Sequence, residues 1–162
     1  MKYVYGILGV AILVLAANWA YQFAPKPVEE PMTQTVFVYY TIPTETDMDF
    51  VAVEREVLVS DDRDVLALAT LQELVKGPTD SEKAQGIASS FNDETVVNSV
   101  KFEDGVVTID FNETFDMQMG GSMRVRAISQ SIRKTVQQFD QTTEYTFKLT
   151  VNNGAREAVL EP

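Results

Sequence analysis

Three groups of residues have the types and spacing that chemistry uses. Gly120-Gly121-Ser122 stands directly before a long helical pattern that carries Arg124 and Arg126 in its first turns. A glycine-rich turn running into a helix can cradle a phosphate, because free backbone N–H groups point at the anion. The known phosphate loops fail here at their defining positions. A Walker loop needs Lys before its Ser or Thr, where Gly121 stands, and the spaced glycines of a dinucleotide fingerprint are missing. The triplet therefore reads as a turn, with Ser122 capping the helix and both arginines facing solvent or an acidic partner. Second, Glu45, Asp47, Asp49 and Glu56 reproduce part of the ligand spacing of an EF-type calcium loop. The position that needs glycine is Phe50, and a strand pattern follows where a helix should, so a solvated acidic turn is the expectation. Third, Asp110, Glu113 and Asp116 could supply the two carboxylates of glycoside hydrolysis if a cleft brought a pair together. Alternation points Asp110 outward and Glu113 falls in a loop, so surface charge is the expected reading.

Composition narrows the chemistry further. The chain of 162 residues has no His and no Cys, which removes the usual imidazole base, disulfides and thiolate metal sites. No serine sits in a G-x-S-x-G elbow. The net charge of −11 argues against nucleic acid, which needs a basic face. No catalytic residue, metal, nucleotide or other cofactor is expected, and no binding residues are assigned.

The elements that would position these residues begin with a segment of another kind. Residues 3–25 carry no charge, and "ILGVAILVLAA" within them is densely apolar. Roughly 20 helical residues cross the ~30 Å hydrocarbon core. Tyr3 and Tyr5 at one end, and Trp19, Tyr21 and Phe23 at the other, suit an aromatic belt, and Lys2 favours an inside N-terminus. Residues 1–24 are thus expected to be a single-pass membrane anchor, with a cleaved signal peptide as the rival. Pro25, Pro27 and Pro31 make residues 25–34 a stalk, and residues 35–162 the extracytoplasmic domain.

Within that domain "TVFVYY" reads as a strand, covered on both faces. In "FVAVEREVLV" valines alternate with acids, and Arg55 is the exception on the apolar side. Ser60 or Asp61 is expected to cap a helix whose apolar face is Val65, Leu68, Leu71, Leu74 and Val75, ended by Gly77-Pro78. A long connection follows, with Ile87 and Phe91 as core anchors. Val100 and Phe102, then Val107, Ile109 and Phe111, flank Asp104-Gly105 as a tight hairpin. Val125, Ile128, Ile132, Val136 and Phe139 mark a second helix face. Tyr145, Phe147, Leu149 and Val151 mark a strand, and "REAVLE" a short return strand after Asn153-Gly154. The order β-β-α-β-β-α-β predicts an α+β, two-layer sandwich, with one mixed or antiparallel sheet carrying two helices on one face.

Three stretches of this chain resemble a known family. "LATLQELVKGPTDSE" is similar to the first helix and turn of the GerMN domain of GerM-type sporulation and spore-germination proteins. "VVNSVKFEDGVVTIDFNETF" resembles its central hairpin, and "GGSMRVRAISQSIRKTVQQF" its second helix. The resemblance implies a fold like the ring-building modules of secretion and sporulation channels, an extracytoplasmic place, and no catalytic residues to carry over. This chain departs from well-known members in having one copy and no lipid-attachment cysteine. The expected function is a membrane-tethered module that contacts itself or other envelope proteins. The alternative is a cell-wall glycan or peptide binder using Tyr39, Tyr40 and Phe50 as stacking surface; a carboxylate-dependent hydrolase is the remote third.

Overall fold

The computed structural model describes residues 31–117, 120–140 and 144–159. The expected membrane anchor lies outside the described residues, among which no helix is long and apolar enough to cross a membrane. The described chain runs β1 (Thr33–Pro43), β2 (Met48–Leu58), α1 (Arg63–Val75), α2 (Asp80–Ala84), β3 (Val97–Glu103) and β4 (Val106–Phe111). A 3-10 turn (Glu113–Asp116), α3 (Ser122–Gln137), β5 (Thr146–Val151) and β6 (Arg156–Glu157) complete it. The predicted order holds, with α2 and the 3-10 turn added. The strands do not form one sheet. β1 and β2 make a separate hairpin, and the second sheet has the order β3-β4-β5-β6, with β4 and β5 parallel. A parallel pair needs a crossover, which α3 supplies.

Helix side chains explain why the hairpin stays separate. The far edge of β1 is occupied: Phe37 N–H donates to Gln138 Oε1 at 2.9 Å, and Gln138 Nε2 returns to the Phe37 carbonyl at 2.7 Å. Tyr39 N–H donates to Thr135 Oγ1 at 3.1 Å. On the other sheet, Phe102 N–H of β3 donates to Asp64 Oδ1 at 3.2 Å, and Gln72 Nε2 donates to the Val97 carbonyl at 3.4 Å. Polar residues of α1, of α3 and of the C-terminal cap of α3 thus stand in for neighbouring strands.

The alternation seen in the sequence sets which faces are buried. Val36, Val38 and Tyr40 point inward while Phe37 is 41% exposed, so β1 is covered on one face and not on both. Asp104 and Gly105 have the positive φ angles (48° and 77°) of the tight β3–β4 turn. In α1, Asp62 is the cap, accepting from Asp64 N–H at 2.8 Å, one residue beyond the expected pair. Ala67, Thr70, Leu71 and Leu74 are buried there, whereas Val65 is exposed and lines an open groove with Leu58 and Val59. Ile87 is buried, and Phe91 lies 6.4 Å from the Phe115 ring. Phe115 in turn stacks on Phe111 at 3.9 Å.

Arg55, the odd residue on the inner face of β2, is held by Glu82 through two hydrogen bonds of 2.8 and 2.7 Å. Its guanidinium also lies 5.7 Å from the Tyr40 ring centre. Glu82 is fixed by a capping box with Thr79 at the start of α2. The same burial pushes the Tyr40 phenol up to about 12, and its O–H reaches the carbonyls of Glu73 and Leu74. Hydrogen bonding to Arg55 lowers the Glu82 pKa from 4.5 to about 2.

Two outcomes are expected. Phe115→Ala removes a fully buried ring from the stack and should cost about 3–5 kcal/mol, read as a lower urea midpoint. Glu82 has a depressed folded-state pKa, so its stabilisation is complete above the unfolded value and is lost as pH falls through the folded one. Glu82→Gln should therefore lower the urea midpoint near neutral pH, with the gap to wild type closing between pH 4.5 and about 2.

Candidate functional site

Each residue group with chemical promise is engaged inside the fold. Gly121, with φ of +90°, is the N-terminal cap residue of α3, and Ser122 is the first helical residue rather than the cap. Arg124 reaches back across the loop before β3: its Nε donates to the Ser90 carbonyl at 2.9 Å and its Nη2 to Asn92 Oδ1 at 2.5 Å. Asn92 in turn donates to the carbonyls of Thr114, Phe115 and Met117. Arg126 pairs with Asp47. The two arginines that might have met an anion therefore tie α3 to the rest of the domain.

The acidic quartet is pulled apart by the hairpin. Thr44 and Asp47 close the β1–β2 turn, with Thr44 N–H donating to the Asp47 carbonyl at 2.9 Å. Asp49 faces Ile42 within the ladder, whereas Glu56 faces Thr35 near its other end and accepts from Thr35 Oγ1 at 2.7 Å. Strand rise of ~3.3 Å per residue separates those two acids by about 23 Å, too far to share an ion. Among the described residues, no group of three or more acids is placed to hold a metal.

The trio Asp110, Glu113 and Asp116 has a different role. Alternation does place Asp110 on the outward side of β4, but the turn after β5 covers it, and it is only 3% exposed. It is a correction to the expectation of surface charge. Oδ2 accepts from Asn98 Nδ2 at 2.8 Å and Asn153 N–H at 2.9 Å. Oδ1 accepts from Thr150 Oγ1 at 2.8 Å and Gly154 N–H at 2.7 Å. Burial opposes the charge, yet these hydrogen bonds outweigh it and hold the carboxyl below its ordinary pKa. Glu113 accepts from Asn152 Nδ2 at 2.5 Å. Asp116 takes a bidentate pair from Arg156 at 2.5 and 3.0 Å and a bond from Val159 N–H at 2.9 Å. That guanidinium lowers the Asp116 pKa. All three acids fasten the C-terminal hairpin, and none is left facing another across a cleft.

Cations outside the ion pairs collect on a half-buried side of α3. Most described lysines and arginines lie within ion-pair distance of a carboxylate. Arg133 and Lys134 instead lie over aromatic rings: Arg133 4.6 Å from the centre of Phe147, and Lys134 6.0 Å from Tyr39 and 5.6 Å from Phe50. Arg133 also borders a cavity of about 630 Å³ between α3 and β5, lined by Ile132, Phe147 and Leu149. Phe37 extends the aromatic row on the outer hairpin face. Of the rings proposed for stacking, Tyr40 is buried and only Tyr39 and Phe50 reach this surface. The sequence signal for this stripe was the adjacent Arg133-Lys134 pair in an acidic chain; which rings it meets follows only from the fold.

Comparison with known proteins completes the picture. No curated protein matches. The tandem GerMN domains of the sporulation protein GerM from Bacillus subtilis align over 81% of this chain, at 24% identity and a TM-score of 0.54. The alignment spans 43% of that longer chain. The first GerMN domain of the same protein aligns over 77% of this chain and 86% of its own, at 22% identity and a TM-score of 0.50. These likenesses show a shared fold. Residues 37–154, well over half of the chain, match the family described as Germane, sporulation and spore germination, and the chain belongs to that family.

Proposed function

We propose that this chain is a non-catalytic assembly module of the cell envelope in sporulation or spore germination. Its N-terminal apolar segment tethers it to the membrane, and its domain works by contact on the extracytoplasmic side. The tether rests on the uncharged run of residues 3–25 and its aromatic flanks. The observation that carries the contact reading is the Arg133–Lys134 stripe. In a chain of net charge −11, these two cations have no carboxylate partner among the described residues and are presented on aromatic supports. Such a surface suits an acidic segment of a protein partner, since Arg and aromatic side chains dominate binding energy at interfaces. The use of Asp110, Glu113 and Asp116 as fasteners further favours contact over hydrolysis. Glycan stacking is less well supported, because Lys134 lies over both available rings.

The test is genetic and physical together. Arg133→Glu with Lys134→Glu should reduce heat-resistant spore yield or germination rate in the native host to the level of a gene deletion. The variant protein should keep wild-type abundance, circular dichroism and urea midpoint. A deletion strain that sporulates and germinates normally would overturn the reading, as would turnover of a wall substrate by the purified full chain. Protease added to intact protoplasts should digest the domain; complete protection would remove the extracytoplasmic placement.

A further inference from the structure

The sequence has one Asn-Gly step, Asn153-Gly154, and it lies in the turn between β5 and β6. We propose that Asn153 is a deamidation site that the folded turn keeps closed, and that its conversion is a one-way release of the C-terminal hairpin. The reaction needs only water. The Gly154 backbone nitrogen attacks Cγ of the Asn153 side chain and a new C–N bond forms. The side-chain amide leaves as ammonia and carries away the proton that Gly154 N has lost. The five-membered imide then adds water at one of its two carbonyls. Opening one way gives Asp, and the other way gives isoaspartate, whose main chain runs through the side-chain carbons. No oxidation or reduction occurs. Glycine in the following position eases the attack, because no Cβ shields its nitrogen.

The folded turn withholds the nucleophile. Gly154 N–H donates to Asp110 Oδ1 at 2.7 Å, and Asn153 N–H donates to Asp110 Oδ2 at 2.9 Å. The nitrogen that must swing onto Cγ is thus aimed at a buried carboxylate, which also accepts from Asn98 and Thr150. Attack requires the peptide between the two residues to rotate, and rotation strips a donor from a buried charge. Ala155 N–H donates to the Asn152 carbonyl at 3.2 Å and closes the turn around this peptide. Solvent exclusion plays no part, since Asn153 and Gly154 are both exposed. The turn needs positive φ at both positions, which selects Asn and Gly over other residue types. The requirement that seals Asp110 therefore installs the reactive pair. Conversion opposes redocking. It puts a negative charge on the residue whose N–H serves Asp110, and isoaspartate adds a main-chain carbon that moves Gly154 N–H off Oδ1.

The full chain in mild detergent is incubated at neutral pH, with and without urea above its unfolding midpoint. Mass spectrometry of the peptide containing Asn153 follows Asp and isoaspartate. Conversion should be roughly tenfold faster or more in urea, since only the open fraction of the native protein reacts. Asp110→Asn presents an amide nitrogen where one backbone N–H needs an acceptor, so it should convert faster than wild type without urea. If that variant does not fold, amide hydrogen exchange at Gly154 of the wild-type chain gives the second readout, and slow exchange is expected. Equal rates with and without urea overturn the proposal. A faster native rate also overturns it, because Asp110 would then be a base that helps the attack. So does rapid Gly154 exchange, or a folded Asp110→Asn chain that converts no faster than wild type. Converted chain, separated and returned to buffer, should have a lower urea midpoint; an unchanged midpoint overturns the one-way release.

Discussion

A carboxylate can be buried only if its charge is met by donors, and Asp110 meets that condition with two donors on each oxygen. The donors come from β3, from β5 and from the turn that follows β5. One side chain thereby couples three parts of the second sheet, and its requirement shapes what surrounds it. Asn152, Asn153 and Gly154 adopt positive φ angles of 57°, 57° and 78°, which aim two successive N–H groups at the carboxylate. Glu113 and Asp116 repeat the arrangement along the same hairpin. Were Asp110 to lose its donors, the cost would be that of an unpaired buried charge, comparable to that of removing a fully buried ring nearby.

Much of this was legible in the residues, and the failures share a cause. Val100, Phe102, Val107, Ile109 and Phe111 alternate as a strand must, and Asp104-Gly105 can take the turn's φ angles, so the β3–β4 hairpin reads directly. The exception at Arg55 was visible, and its resolution was present too: Thr79 and Glu82 have capping-box spacing, and that box fixes the carboxylate that meets the guanidinium. Asp110 misled because alternation says which face a residue is on but not what covers that face. Here the cover comes from residues 40 or more positions later. The division into two sheets was illegible for the same reason, since it depends on Gln138 and Thr135 reaching strand β1 across 101 and 96 residues.

The surface follows a consistent logic once those interior demands are met. Arginines that start α3 are used to hold loops, and lysines elsewhere neutralise nearby acids, so an acidic chain has few cations to spare. Arg133 and Lys134 have no ion pair among the described residues and are held with their cationic heads against rings. The proposed contact reading rests on this stripe.

The parallel pairing of β4 with β5 also sets an order of events. Synthesis delivers the chain from its N-terminus, and both β1–β2 and β3–β4 are neighbours in sequence that can close early. The parallel partner must wait for α3 to be complete. Until Thr150 and Gly154 arrive, Asp110 remains hydrated on an open sheet. Thr150 to Gly154 are thus the latch of the domain, and a chain released before them carries a finished front and an unsealed back that quality-control proteases can recognise.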